Sequence, residues 1–594
     1  MSQPQKTQTP VAPKFDKVLL LRIFRLANPH KQKFYIALLL TLIAAFLAPY
    51  RPYLIQYTID HPIAEKDISG IVSMSIAIAA LLLLQTALQW YNTMLSNTIA
   101  QDVVMALRNK IFNYLTSLKL RFYDKTPIGT LVTRTISDIE TLADVFAEGL
   151  INISGDVLQI IFILGIMFYT DWELSLVSLS VLPFLLYAGY LFKEKVRVSF
   201  EDVRTQVARL NTFVQEHIQG MNIVQLFNRE EKEFERFKAI NNQHRISNIK
   251  SIFYYSVFFP VVEIIAAVST GLIVWYASLQ IIDHQATPGV MIAFIMYINM
   301  FFRPIRQVAD RFNNLQMGMV ASRRVFDLLD NVDNTEPEGI QTDVSFKDQI
   351  SFSNVWFAYK DEDYVIRGIS FDVEPGKTLA IVGQTGSGKS TTINLLSRFY
   401  EISKGEIKIG GNDIKHINLH TLRSQIGIVL QDVFLFSGTI YDNIVLFRPD
   451  ITPQQVEETA KLLGVHDFIM RLPNGYKQEV QERGLTLSVG QRQLISFVRA
   501  MVTNPPLLIL DEATSSVDHE TEEIIQRAIT KMMANRTCII IAHRLSTIQH
   551  AHEILVMNKG EIAETGSHET LIAYGGIYAR MHAIQRADSS TVYE

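Results

Sequence analysis

The sequence is poor in cysteine, in charge, and in any excess of one charge sign. Its single cysteine, Cys538, excludes an internal disulfide framework and any multi-cysteine zinc or iron–sulfur site within one chain. Set in an apolar strand pattern with no activating base, that thiol is expected to be buried and inert. Only 19% of the residues are charged, against roughly 25% in an average soluble protein. The 55 Lys and Arg nearly balance the 59 Asp and Glu, leaving a net charge of −4, so no overall basic field points to nucleic acid. Apolar residues take the place of charge. They make up 48% of the 594 positions, which excludes a disordered or collagen-like chain. Residues 1–13 are rich in Gln, Thr and Pro with no apolar core, so residues 1–16 read as a disordered tail and not as a cleaved signal peptide.

The long apolar runs lie in the first half of the chain. Six suit a hydrocarbon core that takes about 20 helical residues: 35–55, 71–95, 150–169, 174–192, 252–282 and 290–302. The last is short and is expected to continue as an amphipathic helix beyond Pro304. Only Asp171, Trp172 and Glu173 separate the third and fourth, which predicts a tight hairpin. Basic residues set a direction. Seven precede Phe34, six separate the second and third runs, and eleven separate the fourth and fifth. The opposite loops carry only Arg51 and Lys66. Both termini are therefore expected in the cytosol, in a multi-pass protein of the cell membrane. The two long cytosolic connections keep helical apolar spacing, as in Val103, Leu107, Ile111, Leu115 and Leu118, so the membrane helices are expected to run on into the cytosol, turn and return. The expected fold is a six-span α-helical membrane domain (17–330) with long cytosolic helix extensions, a linker (331–348), and an α/β domain of ordinary soluble composition (349–594).

That second domain carries a phosphate-loop pattern. The apolar strand Lys377-Thr-Leu-Ala-Ile-Val382 leads into Gly383-Gln384-Thr385-Gly386-Ser387-Gly388-Lys389-Ser390, and a helical pattern follows from Thr391. This is G-x-x-x-x-G-K-S in its strand–loop–helix setting. Glycines let backbone N–H groups crowd around phosphate oxygens, and the helix N-terminus adds its dipole. Lys389 supplies a full charge near the outer phosphates, and the Ser390 hydroxyl suits Mg²⁺. A second buried strand, Leu507-Leu-Ile-Leu510, ends in Asp511-Glu512. At the carboxyl end of a parallel strand, Asp511 is placed for the magnesium shell and Glu512 to polarise an attacking water. Alone, the Asp-Glu pair reads equally as a helix start. A third strand, 537–541, leads to His543.

Between Gly383 and His543 the chain also shows Gln431 after a strand pattern, Leu487-Ser-Val-Gly-Gln491, and Ser515-Ser-Val-Asp518. This ordered set resembles the ATP-binding domain of ABC transporters. The whole chain resembles their exporter-type half-transporter, whose best-known members are multidrug exporters and lipid flippases. In the membrane half, Phe122-Tyr-Asp124, Gly129, Arg134 and Asp138 are similar to the first intracellular segment of the family, and Glu216, Gly220 and Phe227 to the second. The resemblance implies that Tyr359, of Phe357-Ala-Tyr359, stacks on adenine; a strand aromatic packed in a core is the alternative. It implies that Gly383 to Thr391 and Asp511 hold ATP, with Ser390, Gln431 and Asp511 around Mg²⁺. Catalysis falls to Glu512, His543 and Gln431, and Asp518 lies in a loop joining two sites. Segment 478–484, with Glu482, resembles a loop that faces an intracellular turn. Ser488, Gly490 and Gln491 cover the nucleotide of a partner, so a second half-transporter is required. The usual L-S-G-G-Q is Leu-Ser-Val-Gly-Gln here. Val489 forbids positive φ and is expected to crowd the phosphate. That departure leaves open a heterodimer beside the preferred homodimer.

The reading for cargo is ATP-driven export or flipping of an amphipathic, lipid-like or drug-like molecule, in contact with membrane lipid. The alternatives are an ATP-gated regulator or channel, and an importer built on the same fold. Asp156, Glu263 and Arg303 fall in or beside spans, where an ionisable group calls for a functional hypothesis, with structural ion pairs as the alternative. The aromatics and methionines of 253–259 and 291–302 are candidates either for a cavity lining or for packing. A soluble DNA-repair ATPase is excluded by the six spans and the lack of a basic groove.

Overall fold

A computed structural model describes residues 17–145, 151–331, 339–511, 519–541 and 548–590. The chain divides into two compact units, Met1–Thr116 with Pro127–Val332, and Ser117–Thr126 with Asp333–Glu594.

Among the described residues, six helical segments of the first unit are long and apolar enough to cross a membrane: Asn28–Ile63, Ile68–Thr116, Asn152–Thr170, Trp172–Gln219, Glu230–Ile282 and Pro288–Ile305. The helix Ile68–Thr116 has 49 residues, about 73 Å at 1.5 Å per residue, so more than half of it lies outside a hydrocarbon core of about 30 Å. Its burial changes along its length. The buried residues are Ser96, Ile99, Ala100, Val103, Val104, Leu107 and Ile111, while Leu83, Leu84 and Trp90 are exposed. Apolar exposure marks the stretch that meets lipid, and helical-period burial marks the stretch that meets water on its other side. Leu182–Gln219 and Glu230–Ile282 pair as a second long hairpin, turning through the short helix Met221–Leu226. The sixth helix runs unbroken from Pro288 to Leu329 with Pro304 inside it, as the amphipathic continuation requires.

Three details differ from the sequence reading. Only Asp171 separates the third and fourth helices. Its carboxylate accepts a hydrogen bond from Leu174 N at 2.9 Å and caps the helix Trp172–Leu179, which absorbs Trp172 and Glu173. The return between the second and third spans is broken into Leu120–Lys125, Ile128–Thr135 and Ser137–Asp144; Pro127, which cannot donate within a continuous helix, separates the first two. Arg51 lies in the helix Tyr50–Thr58, within the first span and not in an outer loop. The aromatics of 291–302 are packing residues: Phe294, Tyr297, Phe301 and Phe302 are buried against the third to fifth helices. Ser269 Oγ donates to Ser178 O at 2.7 Å in the same interface, where small residues let membrane helices approach. The amphipathic helix Lys17–Leu26 buries Leu19 and Ile23, and Arg22 forms a bidentate pair with Asp330 at 2.5 and 2.6 Å, just past the end of the sixth helix.

The second unit is built on two main sheets. An antiparallel sheet has the order β2-β1-β4-β5, from β1 (Ile350–Ala358), β2 (Tyr364–Val373), β4 (Lys404–Ile409) and β5 (Asn412–Asp413). A six-stranded sheet has the order β12-β11-β3-β10-β9-β6, from β3 (Thr378–Gly383), β6 (Ile426–Val429), β9 (Leu507–Asp511), β10 (Thr537–Ile541), β11 (Glu553–Asn558) and β12 (Glu561–Gly566). β11, β3, β10, β9 and β6 run parallel, and β12 closes the edge antiparallel. A small ladder pairs β7 (Gly438–Thr439) with β8 (Glu479–Val480). β9 and β10 are buried throughout, which is why they read as continuous apolar runs. Ahead of β1, Gln341 pairs with Ile417 and Phe346 is buried in the core of this unit.

Candidate nucleotide site

The parallel sheet delivers the sequence-predicted residues to one edge. Ile541 of β10 pairs with Ile381 of β3 on one side and with Asp511 of β9 on the other. β6 pairs with β9 through Val429 and Leu510, so the loop after β3, Asp511, and Gln431 all emerge at the carboxyl end of neighbouring strands. That is where an open α/β sheet offers its crevice.

The phosphate loop turns from β3 into the helix Lys389–Leu396. Gly388 precedes that helix at φ 107°, a left-handed conformation that excludes other residues at low energy. A Cβ there would also stand 2.7 Å from Ile366 Cδ1. Lys389 reaches back into the loop and donates to the carbonyls of Gly383 and Gln384 at 2.8 and 3.0 Å. Burial lowers its pKa from the ordinary lysine range, opposed by the nearby Asp511 carboxylate. Ser387 Oγ is buried and has no hydrogen-bond partner among the described residues, a donor left over for a ligand oxygen. Ser390 Oγ donates to Asp511 Oδ2 at 3.3 Å, so a hydroxyl and a carboxylate meet beside the loop, a donor set that suits Mg²⁺. Gln384, Thr385 and Gly386 form the exposed rim of the loop. Thr391, on the first turn of the helix, is buried with its hydroxyl 3.2 Å from the Tyr359 hydroxyl.

Gln431 is exposed two residues beyond β6. The segment that follows it is held by two residues the sequence reading missed. Asn443 exchanges hydrogen bonds with the Phe436 backbone, 2.8 Å each way. Arg499 donates to Phe434 O at 3.0 Å and to Asn443 O at 2.7 Å. Burial pushes the Arg499 pKa down from its ordinary value. Nothing in their local sequence marks these two residues, because their partners lie up to 65 positions away.

Ser488 caps the helix Val489–Met501. Its Oγ accepts from Gln491 N at 3.2 Å and its N–H donates to Gln491 Oε1 at 3.0 Å, a complete capping box. The backbone half of the expected conflict at Val489 does not arise: neither Val489 nor Gly490 has positive φ. Val489 is the first residue of the helix, with its side chain 44% exposed, and Gly490 is buried behind it. Glu482 begins a short 3₁₀ turn in which Arg483 carries φ 58°. Cys538 is buried in β10, and that burial raises its thiol pKa to about 12. Glu512, the segment Ser515 to Asp518, and His543 lie outside the described residues.

Comparison with known proteins agrees with this arrangement. Residues 34–305 match the family described as ABC transporter transmembrane region, and residues 366–515 match the family described as ABC transporter. The uncharacterized ABC transporter ATP-binding protein YknV of Bacillus subtilis is 38% identical over 91% of this chain and 89% of its own. An ATP-dependent lipid A-core flippase of Syntrophus aciditrophicus is 33% identical over 95% of this chain and 94% of its own. Among solved structures, a bacterial Atm1-family ABC exporter with ATP bound superposes with a TM-score of 0.76 at 28% identity, covering 93% of this chain and 98% of that one.

Proposed function

The chain belongs to the ABC transporters, as an exporter-type half-transporter that sits in a membrane and hydrolyses ATP, and from this we propose that it exports or flips an amphipathic, lipid-like or drug-like molecule. The observation that carries the reading is the convergence of the phosphate loop, Asp511 and Gln431 at one edge of the parallel sheet. The lipid A-core flippase relative supports the lipid-like class of cargo. The basic residues of the long connections support a cytosolic side for the termini and the ATPase unit, in a protein of the cell membrane.

In the proposed cycle the loop N–H groups and the Lys389 ammonium hold the phosphates of ATP, and Tyr359 stacks on its base. Ser390, Gln431 and Asp511 would hold Mg²⁺, which supplies charge neutralisation to the phosphates. Glu512 orients the attacking water and takes its proton, and His543 hydrogen-bonds the γ-phosphate. Ser488, Gly490 and Gln491 face the nucleotide of a second copy. ATP then stabilises the closed pair of ATPase units, and its hydrolysis removes that stabilisation. The long helices carry the change to the membrane cavity, which opens inward and outward in turn. A homodimer is the favoured assembly, since this chain retains Glu512 and Val489 is accommodated at a helix start.

Glu512→Gln tests the chemistry. The variant is expected to bind ATP, to hydrolyse it at least ~10²-fold more slowly, and to accumulate as a closed dimer. Near-normal turnover would remove the role given to Glu512. Pumping is tested in proteoliposomes loaded with fluorescent lipid or dye, where ATP hydrolysis without uphill movement of any cargo would overturn export.

A further inference from the structure

Tyr359, one residue past the end of β1, is held at three points. Its hydroxyl lies 3.2 Å from Thr391 Oγ1 on the phosphate-loop helix. Its ring meets Phe357 and Tyr400 edge to face, with centroids 4.8 and 5.1 Å apart. Its backbone carbonyl accepts a hydrogen bond of 3.1 Å from Arg121 Nη2. Tyr400 is itself fixed, because its hydroxyl donates to Asp124 Oδ2 at 2.7 Å. Burial first, and the Asp124 carboxylate second, raise the Tyr400 pKa, so the phenol stays a donor across the working pH range. Arg121 and Asp124 lie three residues apart on the helix Leu120–Lys125, a spacing that puts both on one side of it. That helix belongs to the segment Ser117–Thr126 of the second unit. Lys119, Arg121, Phe357, Phe399 and Tyr400 line a small cavity beside it.

A flat ring binds a base well only when its plane is already set, because ordering it on binding opposes affinity. Thr391 fixes one end of the Tyr359 ring, and Tyr400 limits its swing. Arg121 fixes the backbone that carries it. We propose that Arg121, Asp124 and Tyr400 are positioning residues for the adenine site, so that the segment Ser117–Thr126 sets part of the affinity for nucleotide. The proposal rests on the base-stacking role given to Tyr359. Coupling of this kind is reciprocal: if the seated segment strengthens ATP binding, bound ATP must hold the segment more firmly by the same factor.

The test uses the full-length dimer in lipid nanodiscs. Tyr400→Phe keeps the ring and removes only the donor; Asp124→Ala removes the acceptor. Each is expected to raise KM for ATP about threefold to tenfold, the worth of one hydrogen bond, with kcat at saturating ATP kept within about twofold. The double variant is expected to match the single ones, because both remove the same bond. Tyr359→Ala is expected to raise KM as well, and Tyr359→Phe less so. If Tyr359→Ala raises KM while Tyr400→Phe and Asp124→Ala do not, the positioning proposal falls and base stacking stands. If Tyr359→Ala leaves KM unchanged, base stacking falls and takes the proposal with it. A loss of kcat at constant KM would mark a merely structural role and also overturn it. On the unmodified chain, hydrogen exchange of amides 117–126 is expected to slow when ATP is added, and an unchanged rate would be equally decisive against.

Discussion

Val489 and Lys389 show what a residue owes to its place in an element. Val489 opens the helix Val489–Met501 with ordinary helical backbone and a half-exposed side chain, so restoring glycine removes no strain. Val489→Gly is expected to leave ATPase activity within about twofold and to weaken the helix start slightly, by up to ~1 kcal/mol. A rise in turnover above that would mean the valine does obstruct the phosphate. Lys389 is different, because its burial depresses its pKa and Asp511 only partly restores it. ATP binds the charged ammonium, so affinity is full below the pKa of the free protein and falls as pH rises through it. Since that pKa is lowered, the loss begins at a milder alkaline pH than an exposed lysine would give. Nucleotide Kd measured from pH 7 to pH 10 should show this limb, and Lys389→Arg, which stays charged, should flatten it even if its affinity is poorer.

At the scale of elements, the C-terminal end of the first span caps the sixth helix. Asp60 accepts from Gly289 N at 2.9 Å and from Thr287 Oγ1 at 2.6 Å. A Cβ on residue 289 would stand 2.5 Å from the same carboxylate, so any larger residue there would push the Asp60 carboxylate aside. Asp60→Ala is expected to lower thermal stability by about 1 kcal/mol, a typical capping loss, read as a lower melting temperature in detergent; no shift would mean solvent replaces the cap. At the turn of the second long hairpin, His217 stacks on Phe213 and bridges the Phe213 carbonyl and Glu233 Oε2 at 2.7 and 3.0 Å. The backbone bond to Phe213 and then Glu233 raise its pKa. The added stability is present below the ordinary histidine range and is lost as pH rises through the raised value. Amides 221–229 should therefore exchange faster at pH 8 than at pH 6 beyond the intrinsic chemical rate, and His217→Ala should erase the difference.

The same elements show how far sequence could be read. Six apolar runs announce six helices, since a lipid-facing stretch has no other composition open to it. Their breaks are less visible. Asp171 alone turns the hairpin between the third and fourth helices, because one carboxylate can satisfy the N–H group that a longer loop would have left to water. Arg51 looked like a loop residue by its charge, yet the helix Tyr50–Thr58 carries it. At the nucleotide edge, the phosphate loop and Asp511 were legible because each is a local strand-to-loop pattern. Tyr400 was not, since it belongs to no local pattern and meets Asp124 across 276 positions; Asp124 stood out as part of Phe122-Tyr-Asp124, but not for this contact.

For the whole molecule, the favoured assembly places Ser488 of one copy over the nucleotide of the other. Purified alone, the chain is expected to have twice its own mass in solution and to hydrolyse ATP; an inactive monomer would point to a different partner subunit. Ser488→Ala also removes the helix cap, so its effect must be read against a melting temperature. A loss of turnover larger than the loss of stability explains would support the shared site. Cys538 decides how such geometry can be followed. Shut inside β10 with its thiol pKa pushed up to about 12, it holds almost no thiolate at neutral pH to attack a maleimide dye. The natural chain is in effect a blank background for thiol labelling. A cysteine placed at any surface position would then be the one site that reports, and pairs of them across the two copies would measure opening and closing without a single native residue having to be removed first.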